Sequence, residues 1–216
     1  MAAVLAIVLI LPNTSQTAAA AMQQIPLLGN LFKVVTVRDY QVDEGRNSAN
    51  VKVPQVEVAA TDENADSDTV EQAKVSADAI NFDINEETNK LIEEFKESLK
   101  NEEGYQSLYI DSNVKLDTDN LFSLELILYQ GAGSGYEQHK HYTVDKKTGK
   151  ELSLKDLCGD DYIDTISEEI KTQMREQMAA DETVQYWLDD PEVEEWNFDK
   201  IAEDQDFYVN EDGHIV

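Results

Sequence analysis

Residues 108–150, LYIDSNVKLDTDNLFSLELILYQGAGSGYEQHKHYTVDKKTGK, decide the fold. Apolar and polar side chains alternate over Leu108–Lys115 and again over Phe122–Tyr129, the pattern of extended backbone with one buried face. Between them Asp117-Thr118-Asp119-Asn120 is a run whose side chains readily bond nearby backbone, so it reads as a turn. Tyr136–Val144 is a third strand. Asp145-Lys146-Lys147-Thr148-Gly149-Lys150 then makes a tight connection in which Gly149 is free to take positive φ. Three strands in series with short turns predict an antiparallel meander.

The period changes on both sides of this core. Upstream, Leu91, Ile92, Phe95 and Leu99 recur at helical spacing after Ile84-Asn85, and the Asn85 side chain can accept from the free amides of a first turn. Downstream, Ile163, Ile166, Ile170, Met174 and Met178 form one stripe over Tyr162–Ala180, which predicts a helix packed on the sheet. Pro191 suits the first turn of a short helix reaching Lys200. Asp206–Val209, the turn Asn210-Glu211-Asp212-Gly213 and His214-Ile215-Val216 begin a last hairpin, which is expected to continue beyond Val216. The expected class is α+β, an antiparallel sheet packed against one long and one or two shorter helices, with the folded domain at 80–216.

The N-terminus speaks to compartment. Met1–Leu11 is continuously apolar, ends at Pro12-Asn13, and is followed by no charge until Lys33. A bilayer needs about 20 apolar residues and a signal-peptide core only about 7–15, so residues 1–22 read as a truncated transmembrane segment or a signal-like one. Ala18, Ala19, Ala20 and Ala21 supply the small residues of a signal-peptidase-type cleavage region, and an Ala-rich helix accounts for them equally well. Residues 23–79 read as a juxtamembrane stalk and acidic linker, interrupted at Pro26 and Gly29, with Leu31–Val37 a short strand or membrane-hugging segment and room for one strand at Val51–Val58. The expectation is a single-pass membrane protein whose residues after 22 are extracytoplasmic.

Charge narrows the partners. In residues 1–50, Lys33, Arg38 and Arg46 balance Asp39, Asp43 and Glu44, so the whole net charge of −28 falls after residue 50. A field of that sign repels nucleic acid and anionic lipid, and attracts cationic proteins or Ca²⁺. With 45 carboxylates present, no pair stands out as a general acid and base. His139 and His141 share one strand face, but two ligands fall short of the three or four that zinc requires. Cys158 is the one cysteine, so no disulfide framework exists within the chain, and its reading is a small apolar filler. Gly131–Gly135 leads into a strand rather than a helix, which excludes a phosphate-binding loop. Flanked by Tyr129 and Tyr136, it reads instead as a candidate partner-binding loop built on Tyr129, Gly133, Ser134 and Tyr136. No catalytic residue, metal or cofactor is assigned, and the chain reads as a non-enzyme.

Four stretches together carry a family resemblance. They are Ala21-Met22 with Ile25-Pro26-Leu27-Leu28-Gly29 and Lys33-Val34-Val35-Thr36; Val144–Lys150 with Leu152, Leu154-Lys155-Asp156-Leu157; Ile166–Ile170 with Gln173–Met178; and Phe207-Tyr208-Val209-Asn210-Glu211-Asp212-Gly213. In that order they resemble the RsiV-type anti-sigma factors of Firmicutes. The resemblance implies a cytoplasmic segment that holds an extracytoplasmic-function (ECF) sigma factor inactive, one membrane helix, and an extracytoplasmic domain that binds lysozyme and thereby triggers proteolytic release of the sigma factor. The sigma-binding segment is not among these residues, so the sigma factor is a partner only through a part of the protein absent here. The Gly131–Gly135 run and Cys158, at a position where the family has an aromatic, depart from the pattern. A secreted or anchored lysozyme inhibitor, a wall-binding module, and an accessory domain of a polysaccharide deacetylase are the rival readings.

Overall fold

The computed structural model describes residues 31–59, 66–100 and 105–216. The apolar leader and Ala18–Ala21 lie outside the described residues. The chain divides into two compact units, with the boundary between Glu151 and Leu152. No described helix is long and apolar enough to cross a membrane.

The larger unit is a six-stranded sheet in chain order, β1 (Phe32–Glu44), β2 (Asn47–Val58), β3 (Gln106–Asp117), β4 (Leu121–Ala132), β5 (Ser134–Asp145) and β6 (Lys150–Glu151). The meander read from residues 108–150 is present: β3, β4, β5 and β6 pair antiparallel, as do β1 and β2. The sheet is not antiparallel throughout, because β2 and β3 pair parallel over Asn47–Val51 and Gln106–Ile110. Parallel neighbours need a long crossover. Helix α1, Ser67–Ser98, supplies it and covers one sheet face.

This corrects three expectations. The stretch read as stalk and linker contributes β1, β2 and the first turns of α1 to the same unit as the meander. Its anchors are Leu31 and Phe32, 1% and 2% exposed, with the Phe32 ring stacked 5.2 Å from that of Phe122. The helix begins eighteen residues before Asn85, capped by Asp66, whose side chain accepts from the Thr69 amide at 3.3 Å. Asn85 lies inside the helix and donates to the Asn81 carbonyl, 2.7 Å. The cover of the sheet is therefore α1, whose buried positions Ala73, Ala77, Ile80, Ile84, Thr88, Ile92 and Phe95 recur every three or four residues.

Two local devices explain how so acidic and polar a sequence builds this sheet. Beyond Val51 no strand among the described residues pairs with the β3 side of β2, and Pro54 sits in that stretch opposite a β-bulge at Thr36–Arg38. There the Asn81 side chain reaches down from α1, accepting from the Val56 amide at 2.7 Å and donating to the Val56 carbonyl at 2.8 Å, as another strand would. At the far edge the β5–β6 turn lies on the N-terminal turns of α1. Thr69 Oγ1 donates to the Lys147 carbonyl (2.9 Å) and Ser76 Oγ to the Gly149 carbonyl (2.7 Å). Gly149 has φ of 70° as expected, and it is pressed so close to the helix that an added methyl would lie 2.5 Å from the Ala73 nitrogen.

The smaller unit holds α2 (Leu154–Cys158) and α3 (Tyr162–Ala180). A capping box between Ser153 and Asp156 starts α2. The predicted bounds of α3 hold, and Ile163, Ile166, Ile170 and Met174 of its stripe pack in one cluster with Leu154, Phe198, Ile201, Phe207 and Ile215 of its own unit. Cys158 packs at the edge of this cluster, and burial pushes its thiol up, in keeping with a filler role. The expected helix after Pro191 is only a 3₁₀ turn, Glu194–Trp196. Val209 and Ile215 form a bridge closed by paired bonds between Tyr208 and Val216, the last hairpin.

Candidate partner-binding sites

Strand alternation puts Phe122, Leu124, Leu126 and Leu128 under α1 and turns Ser123, Glu125, Ile127 and Tyr129 to the opposite face. On that face Glu125 is buried and gathers its neighbours. Asn113 Nδ2 donates to it at 3.0 Å, His139 Nδ1 lies 3.0 Å away, His141 Nε2 3.4 Å, and Lys115 Nζ 3.7 Å. Burial alone would raise the Glu125 carboxyl, but the bonds from Asn113 and His139 and the charges of Lys115 and His141 outweigh it and hold it below the usual range. His139 is raised, chiefly by the bond from its other nitrogen to Glu137 at 3.0 Å and then by Glu125. The two imidazoles do share a face, their rings 6.4 Å apart, but they serve a carboxylate. Among the described residues no group of three or more His, Cys, Asp or Glu is arranged to hold a metal ion.

The sheet face under α1 is tied to that helix by charge. Lys140 donates to Asp83 (2.7 Å) and Glu87 (3.0 Å), and the Tyr142 hydroxyl donates to Asp83 (2.6 Å). Burial pushes the Tyr142 hydroxyl far up, and its bond to Asp83 adds to this. These groups are matched as donors and acceptors, which suits cohesion more than proton transfer.

The glycine run closes the β4–β5 hairpin. Gly131 and Gly135 face each other across β4 and β5, and only Gly133, with φ of 83°, forms the tip between Ala132 and Ser134. The Tyr129 ring lies over both glycines: a methyl at Gly135 would come 2.6 Å from its hydroxyl oxygen, and one at Gly131 3.0 Å. The glycines are thus the floor for Tyr129. Tyr136, 68% exposed, pairs with Gln130 and so projects from the face opposite Tyr129. The structure brings Tyr129 to the glycines and leaves Ser134 exposed at the tip, but it does not join the two tyrosines into one anchor.

Sequence reading passed over the smaller unit's most exposed aromatics. Trp187 and Trp196 are 59% and 60% exposed, with ring centroids 5.7 Å apart and planes inclined by 53°. A signal was available, since these are the chain's two tryptophans and lie nine residues apart in a run of carboxylates. Assigning residues 191–200 to a helix hid it.

A buried carboxylate satisfied by its neighbours, with aromatic rings left on the surface, characterises this acidic α+β protein. The comparisons give the family. Residues 155–216 match a family model described as a protein of unknown function, DUF3298. The anti-sigma-V factor RsiV of Bacillus subtilis strain 168 is 34% identical over 208 residues, covering 95% of this chain and 68% of RsiV. Similar solved structures include DUF3298 family members from Bacteroides fragilis NCTC 9343 (18% identity, TM-score 0.44, 84% of this chain and 79% of that one) and Pseudomonas aeruginosa PAO1 (16%, 0.46, 71% and 69%). The chain belongs to the RsiV family of anti-sigma factors.

Proposed function

We propose that this chain is the extracytoplasmic sensor region of a membrane-bound anti-sigma factor, which binds a basic cell-wall hydrolase such as lysozyme and so triggers proteolytic release of an ECF sigma factor. Family membership supports the regulatory role. The observation that carries the ligand class is the charge: all of the net −28 lies after residue 50, a field that speeds encounter with a cationic protein. The sigma factor would be held by a part of the protein outside these residues, and residues 1–22 would supply the membrane segment. The Tyr129–Tyr136 hairpin tip, with Gly133 and Ser134, is retained as one contact region for the hydrolase.

The cleavage step acts at Ala18–Ala21 in this reading. Leu31 and Phe32 are the first core residues among the described residues, Leu31 ten positions after Ala21, and an extended chain of that length spans at most about 35 Å. A protein-sized ligand on the sheet unit is therefore close enough to change a protease's access to that region. The test is to replace Ala18–Ala21 with bulky residues in the full-length protein on cells and to follow release of the extracytoplasmic part after adding lysozyme. Release should be blocked; undiminished release would remove the cleavage step from the proposal.

A further inference from the structure

The two tryptophans stand on a loop that is built rather than loose. The Phe198 amide donates to the Trp187 carbonyl (2.9 Å) and closes it, and the Trp196 amide donates to the Val193 carbonyl (2.9 Å). Across its middle Asn197 holds the Asp190 backbone at both ends, accepting from the amide at 3.1 Å and donating to the carbonyl at 2.9 Å. Asp189 takes a left-handed φ of 58° and is pinned by Arg175 at 2.8 Å. A fixed backbone thus presents two large aromatic faces to solvent, and residues 187–199 contain Asp189, Asp190, Glu192, Glu194, Glu195 and Asp199 with no Lys or Arg. The Trp196 indole N–H already donates to Glu195, 3.1 Å.

An aromatic face attracts a cation through its quadrupole, tryptophan most strongly, and surrounding carboxylates add to that attraction while fixing direction. Preordered aromatic anchors in a polar rim are also what binding hot spots consist of. We propose that the Trp187–Trp196 loop is a docking site for arginine or lysine side chains displayed by a cationic protein, the guanidinium or ammonium group seated against the indoles and paired with the flanking carboxylates. This deepens the proposed function and rests on its reading that the ligand is basic, and it adds a contact on the smaller unit to the one at the Tyr129–Tyr136 tip.

Because the chain has two tryptophans and both lie here, indole emission excited at about 295 nm reports on this site alone. The 216-residue chain in detergent micelles is titrated with a tryptophan-free peptide, Arg-Gly-Arg-Gly-Arg-Gly amide, with its glutamine counterpart, and with a chitooligosaccharide. The arginine peptide should shift the emission saturably and the other two should not. By calorimetry its affinity should fall at least about tenfold in W187A/W196A and recover in part in W187F/W196F, with circular dichroism unchanged. A second variant, E192Q/E194Q/E195Q, keeps the rings and should weaken the peptide as well. Unmoved emission, unchanged affinity in the folded alanine variant, a response to the oligosaccharide alone, or a concentration-dependent shift of the protein by itself would each overturn the site, the last two in favour of a glycan or a second copy. Calorimetry against a basic lysozyme separates the two levels. Full lysozyme affinity in W187A/W196A would overturn this site and leave the proposed function standing, whereas peptide binding through the tryptophans without lysozyme binding would keep the site and remove lysozyme as the ligand.

Discussion

Phe32→Ala tests whether the stretch nearest the apolar leader is core or stalk. Phe32 is buried, 2% exposed, and stacked on Phe122, the second residue of β4 and part of the core under α1. Truncating a buried phenylalanine costs about 3–5 kcal/mol, through lost transfer free energy and the cavity left behind. A buried aromatic pair contributes about 0.5–1.5 kcal/mol beyond its area, which points to the upper part of that range. Against a total stability of about 5–15 kcal/mol this is a large fraction. With a urea dependence of about 2 kcal/mol per molar, the midpoint read by far-ultraviolet circular dichroism should fall by about 2 M. Val37→Ala, at the exposed bulge of the same strand, is the control and should shift stability by less than about 0.5 kcal/mol. A Phe32→Ala protein within about 1 kcal/mol of the parent would mean that β1 contributes little and that the folded domain begins near residue 80 after all.

Two further predictions follow from the same geometry. Gly149→Ala adds a methyl against the α1 backbone at a positive φ, so it should destabilise by about 2 kcal/mol or more in the same urea assay and loosen the β5–β6 turn. His139 is raised by Glu137 and Glu125, so its contribution to stability is fully present below its unfolded pKa of about 6.5 and is lost as pH rises through the higher folded value. His139→Gln should therefore destabilise more at about pH 5.5 than at about pH 8.5, and an equal loss at both would show that the ring acts only by packing.

The sequence was most readable where structure is local. The meander strands, the positive φ of Gly149 and the bounds of α3 follow from side-chain period and turn chemistry over a few residues each. The first three turns of α1 are not legible because their buried positions are Ala73, Ser76 and Ala77, small residues that let the β5–β6 turn approach but give almost no apolar signal. Strands are legible at Leu31–Val37 and Val51–Val58, within β1 and β2, but not their membership of the same sheet as the meander, because the place of β2 beside β3 depends on a crossover of 47 intervening residues, from Val58 to Gln106, that no local pattern encodes. The glycine run reads in sequence as a partner-binding loop, whereas Gly131 and Gly135 are what lets the Tyr129 ring lie against backbone. The tryptophan loop was hidden by Pro191, which starts turns as readily as helices.

The central claim is that this acidic protein recognises a basic hydrolase specifically. It is tested most directly by calorimetry of the 216-residue chain with a basic lysozyme at low salt and at about 0.15 M, where charges separated by more than about 8 Å are largely screened. The account predicts 1:1 binding that weakens but persists at the higher salt, because desolvated aromatic and paired charges resist screening. Binding that disappears at that salt would contradict it and reduce the interaction to long-range attraction by the charge of −28.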